Sequence, residues 1–75
     1  MNREIILDLN GWRKNIFISQ KDYERGDILI PITYPLLATL PRDEIPIMQE
    51  YINVRFIKNG YNENGVTIFK FNRVP

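Results

Sequence analysis

The stretch Asp27-Ile28-Leu29-Ile30-Pro31-Ile32-Thr33 decides how this chain reads. Ile28, Ile30 and Ile32 recur at every second residue, which lines them along one face of an extended strand and fits no helical period. Pro31 can donate no ladder hydrogen bond, so the pattern predicts a strand at a sheet edge or beside a bulge. Outward from it, Lys21-Asp22-Tyr23-Glu24-Arg25-Gly26 reads as a charged connector, and Asn15-Ile16-Phe17-Ile18-Ser19-Gln20 before it as another strand. The opening Glu4-Ile5-Ile6-Leu7-Asp8-Leu9 is β-branched and is closed by Asn10-Gly11, the residue pair suited to a type I′ turn, in which both central residues need φ above zero. Trp12-Arg13-Lys14 extends that loop.

Downstream, Tyr51-Ile52-Asn53-Val54-Arg55-Phe56-Ile57-Lys58 alternates again, with Ile52, Val54 and Phe56 inward and Asn53 and Arg55 outward. A turn region, Asn59-Gly60-Tyr61-Asn62-Glu63-Asn64-Gly65, leads into Val66-Thr67-Ile68-Phe69-Lys70-Phe71 as a closing hairpin. Between these parts, Pro35, Pro41 and Pro46 interrupt residues 34–49 too often for a long helix. That segment is expected to be a covering loop, with Leu36, Leu37 and Leu40 plugging the open end of the core. The expected architecture is all-β: one domain over residues 1–75, a small five-stranded antiparallel sandwich or barrel with a Pro-rich covering loop at 34–49.

Composition supports strands and narrows function. Of 75 residues, twelve are Ile and one is Ala, which favours pleated surfaces over helices. There is no His and no Cys, so thiolate nucleophiles, Cys/His zinc sites, disulfides and imidazole bases are excluded. The net charge of +1 is small for a chain built around a polyanion. The apolar run at the N-terminus ends at Leu9 and contains Asp8, so it predicts neither a signal peptide nor a membrane span.

Chemistry has few footholds. Ser19 is the only serine and falls on an expected strand. Asp43 and Glu44 are adjacent carboxylates beside Arg42, whereas acid–base glycoside chemistry needs its pair separated across a cleft. Asp22, Glu24 and Asp27, and separately Asn62, Glu63 and Asn64, offer oxygen ligands but do not follow the EF-hand order, and turns are rich in such residues anyway. Arg25-Gly26-Asp27 spells an integrin-binding tripeptide, although a turn entering a strand accounts for each of its residues. The chain is therefore read as non-enzymatic, with no cofactor and no metal.

Two binding readings remain. A five-stranded barrel of this size is the size class of OB-fold and cold-shock modules, and Phe69 and Phe71 beside Arg55, Lys58 and Lys70 could stack single-stranded bases. A period of two equally makes those phenylalanines core. The other reading rests on Trp12, Tyr23, Tyr34, Tyr51 and Tyr61, which fall in loops or at strand ends, where aromatics anchor protein interfaces. Trp12 and Tyr61, each beside an Asn/Gly turn, are the candidate partner-binding anchors.

The order of pieces also carries a resemblance. A Leu7-Asp8-Leu9 strand is followed by one ending Ile18-Ser19-Gln20, a charged turn over 21–27, and then the Ile28-Leu29-Ile30-Pro31-Ile32-Thr33 alternation. Later, Ile52-Asn53-Val54-Arg55-Phe56-Ile57-Lys58-Asn59-Gly60 runs into Ile68-Phe69. This resembles the N-terminal domain of the upper baseplate proteins of phages that infect Gram-positive bacteria. Lys58-Asn59-Gly60 stands where that family has a Pro-Asp-Gly-type turn. The resemblance implies a β-rich adaptor that docks on the tail and carries receptor-binding parts, located in the virion and without catalytic residues. The expected function is a structural or interaction module of a phage tail or baseplate, with protein partners in a larger assembly and a possible homo-oligomer. The alternatives are a single-stranded nucleic-acid-binding barrel and a small inhibitor that blocks a host enzyme.

Overall fold

The computed structural model describes residues 2–31, 33–35 and 53–72. Five strands and one short helix follow in the order β1 (Asn2–Leu9), β2 (Trp12–Ser19), α1 (Gln20–Arg25), β3 (Asp27–Pro31), β4 (Asn53–Tyr61) and β5 (Thr67–Phe71). They form one five-stranded sheet in the order β2-β1-β5-β4-β3, curled into a half-barrel. The sheet is mixed, which corrects the expected purely antiparallel sandwich or barrel. β1–β2, β3–β4 and β4–β5 are antiparallel, but β1 and β5 run parallel with Ile6 beside Ile68 and Leu7 beside Phe69. The antiparallel pairs join strands that follow one another in sequence. The parallel pair joins the two ends of the described chain, and no local turn signal announces it. Of the covering loop expected over 34–49, residues 36–49 lie outside the described residues, as do Ile32, Tyr51 and Ile52.

The β1–β2 turn takes only two residues. Asn10 and Gly11 have φ of 51° and 93°, the positive pair that a type I′ turn requires, so β2 begins at Trp12 and the expected longer loop does not form. The charged connector folds into the six-residue helix α1. Ser19 Oγ accepts the Asp22 N–H at 3.1 Å as its N-cap, and Gly26, at φ 85°, ends it by donating its N–H to the Asp22 carbonyl.

β3 lies at an edge of the sheet, as Pro31 required. The period-two reading holds inside it, since Ile28 and Ile30 are buried and Leu29 is exposed. Ile5, Leu7 and Leu9 of β1, Ile18 of β2, Val54 and Phe56 of β4 and Phe69 of β5 join them in a single inner cluster. β1 is also buried on its outer face through Ile6 and Asp8. No helix among the described residues is long and apolar enough to cross a membrane.

Phe56 and Phe69 have no exposed surface, so truncating either to Ala is expected to cost about 3–5 kcal/mol. Phe71, which is half-buried against Phe56 at 6.2 Å between centroids, should cost less. Urea denaturation of the three variants checks that order.

Candidate functional site

Because the sheet curls without closing, its two edge strands face each other across a mouth. Phe17 and Ile18 of β2, Leu29 and Ile30 of β3, and Tyr34 line a cleft there of about 290 Å³. The outward side chains on its rim are large and apolar: Phe17 is 69% exposed, Leu29 54% and Tyr34 46%. Ile57 adds to the same surface, since it lies opposite Asp27 while Leu29 lies opposite Arg55, which makes Ile57 and Leu29 diagonal neighbours on the outer face.

The two candidate anchors do not meet. Tyr61 is exposed and pairs with Thr67 at the start of β5, whereas Trp12 pairs with Leu9 at the end of β1. With β1 and β5 parallel, these positions fall toward opposite ends of the sheet. Trp12 is also half-buried against the core, and Lys14 Nζ sits 5.9 Å from its ring centroid. The rim residues Phe17 and Leu29 escaped notice although their signal was present. Each stands between two isoleucines of a period-two strand, so once Ile16 and Ile18, or Ile28 and Ile30, point inward, the residue between them points out.

A second cluster binds α1 to the sheet at one end of the half-barrel. The Tyr23 hydroxyl lies 2.7 Å from Oγ1 of buried Thr67 on β5. Its ring has the Arg3 guanidinium of β1 at 4.1 Å and the Lys58 ammonium of β4 at 3.8 Å from the centroid, both within cation–π reach. One side chain of a six-residue helix thus touches three strands. The hydrogen bond to Thr67, reinforced by the charges of Arg3 and Lys58, holds the Tyr23 phenol below its ordinary pKa against the opposing effect of burial.

At the other end, buried Asp8 uses both carboxylate oxygens. Oδ1 accepts the Gly11 N–H at 3.0 Å and Oδ2 accepts Arg13 Nε at 2.8 Å. The acid therefore fastens the β1–β2 turn and the first outward side chain of β2 to β1. Arg25 turns its guanidinium back on Asp22 at 3.1 Å and on Asp27 at 2.8 Å, so the Arg and Asp of the adhesion-like tripeptide bind each other. In the second polar turn, Asn62 Oδ1 accepts the N–H groups of Asn64 and Val66. Among the described residues no three acidic side chains converge as a metal site. Phe69 is fully buried against Tyr23, so its ring offers no open face, and Asp43 and Glu44 lie outside the described residues.

No family model, curated protein or solved structure matches the chain.

Tyr23 is expected to ionise below the ordinary tyrosine range in an ultraviolet phenolate titration, and Tyr23→Phe should remove that step. An acid with a depressed folded pKa adds stability above its unfolded value, and that stability is lost as pH falls through the folded value. The contribution of Tyr23 ionisation therefore belongs to alkaline pH, and the stability gap between wild type and Tyr23→Phe should widen there.

Proposed function

We propose that this chain is a non-enzymatic structural module of the phage-tail or baseplate type, which docks on partner proteins through the mouth of its half-barrel. The observation that carries this reading is the grouping of exposed Phe17, Leu29 and Tyr34 around one cleft between two sheet edges. Single exposed apolar residues are ordinary, but large ones gathered at a cleft with a polar surround mark a contact surface. The absence of His and Cys from the sequence points the same way, because the commonest acid–base and nucleophilic groups are missing. The phage-tail assignment itself rests on the resemblance of the Leu7-Asp8-Leu9, 27–33 and 52–60 segments.

Leu29→Glu tests the docking surface. Its side chain is exposed, so stability should stay within about 0.5 kcal/mol of wild type. Immunogold labelling of particles from cells making the wild-type chain should decorate the tail, and the Leu29→Glu chain should leave that label. Particles that assemble fully without the chain would overturn the tail assignment. Tail incorporation of Leu29→Glu at the wild-type level would overturn the role of the mouth.

A further inference from the structure

The two edges that frame the mouth differ in their backbone. The bond from Lys58 N–H to the Gly26 carbonyl fixes the phase of the β3–β4 ladder, so Ile28 and Ile30 bond toward β4, and Asp27, Leu29 and Pro31 turn their backbone groups away from it. That edge is blunted. The Asp27 carbonyl takes Arg25 Nη2 at 3.0 Å, the Pro31 carbonyl takes the Tyr34 N–H at 2.9 Å, and Pro31 has no N–H to offer.

Among the described residues β2 has no such guard. Leu9 and Trp12 flank a two-residue turn and form a hydrogen-bonded pair, so the alternation makes Lys14, Ile16 and Ile18 the residues bonded to β1. Arg13, Asn15 and Phe17 therefore present their N–H and C=O groups outward in an unbroken row that contains neither Pro nor Gly. Among the described residues no strand lies beyond β2.

The geometry points to a second copy of this chain as the occupant of that edge, with β2 pairing antiparallel to the partner's β2 about a two-fold axis at Asn15. A two-fold contact requires a self-complementary surface, and this register supplies one. Arg13 falls opposite the partner's Phe17 on the outer face, a cation beside an exposed ring. On the inner face, Lys14 falls opposite the partner's Ile16, and Trp12 opposite the partner's Ile18, an aromatic against a β-branched residue. No like charges stand directly opposite each other, and Lys14 is only a diagonal neighbour of the partner's Lys14. Centring on Lys14 would set lysine against lysine, and centring on Ile16 would draw Ser19 into the ladder, although its hydroxyl already caps α1. The Asn15 register uses Arg13, Asn15 and Phe17 and leaves the cap alone. The inference goes beyond the docking reading, with which it shares Phe17 but neither Leu29 nor Tyr34.

Light scattering and sedimentation of the purified chain, from micromolar to millimolar concentration, test it. The mass should rise from one chain to two, with little change on added salt. Asn15→Pro removes the outward N–H at the axis without touching the β1 ladder, so it should fold and weaken the dimer at least about tenfold, a loss of roughly 1.4 kcal/mol. Asn15→Ala, which shares the loss of the 3.4 Å side-chain contact to Glu4, should dimerise like wild type. Phe17→Lys sets lysine opposite the partner's Arg13 and should weaken the dimer, while Phe17→Glu should retain it. A single-chain mass at every concentration overturns the proposal, as does an Asn15→Pro chain that dimerises like wild type. Equal dimerisation of the Phe17→Lys and Phe17→Glu variants overturns the register. Leu29→Glu leaves β2 intact, so failure of docking and failure of self-pairing are read separately.

Discussion

The sheet depends on the parallel pairing of β1 with β5. Without it the chain has two separate pieces, the β1–β2 hairpin and the β3–β4–β5 meander, and each would expose one side of its apolar residues. Joining them places Leu7 beside Phe69 and Ile6 beside Ile68, which turns β1 into a strand buried on both faces from Ile5 to Leu9. A parallel pair forms only after a long loop has closed, so its contacts must offset an entropy that the hairpins do not face. Its neighbours show what holds it in place: Ile5, Leu7 and Leu9 meet Val54, Phe56 and Phe69 in one cluster, and burial of that apolar surface is the dominant favourable contribution.

The helix α1 is too short to be stable alone, since helices of a turn or two do not recover the cost of nucleation. Its order comes from its two caps and from Tyr23, which reaches β1, β4 and β5 through Arg3, Lys58 and Thr67. The same helix links β2 to β3 while the strand order puts them at opposite edges, so it helps hold the half-barrel curled around its mouth. The fold and the proposed contact surface thus share one cause. A sheet that curls but does not close must leave two edges, and among the described residues Pro31, Arg25 and Tyr34 guard β3 while none guards β2.

Much of the local structure was legible. The isoleucine alternation located β3, Pro31 placed it at an edge, and Asn10-Gly11 located the first turn, because each of those signals acts within a few residues. The helix is not legible in the charged run 21–26, whose composition suits an exposed turn equally well; its signals are Ser19 and Asp22 at capping spacing and Gly26 at the C-cap. The candidate site was less legible. Of the loop aromatics, Tyr34 does reach the rim while Trp12 packs on the core, and the other rim aromatic, Phe17, is revealed only by the inward phase of Ile16 and Ile18.

The sequence by itself determined the strand-rich class, the period and facing of β3 and β4, the position of the first turn and the lack of histidine and cysteine chemistry. These follow from side-chain alternation, backbone preferences of single residues and composition. Only the tertiary structure decided that the first and last strands pair in parallel, that the sheet stops as a half-barrel, and that Phe17 and Leu29 end up on opposite rims of one cleft. Those outcomes depend on contacts between residues far apart in the chain, which no local periodicity or turn preference encodes.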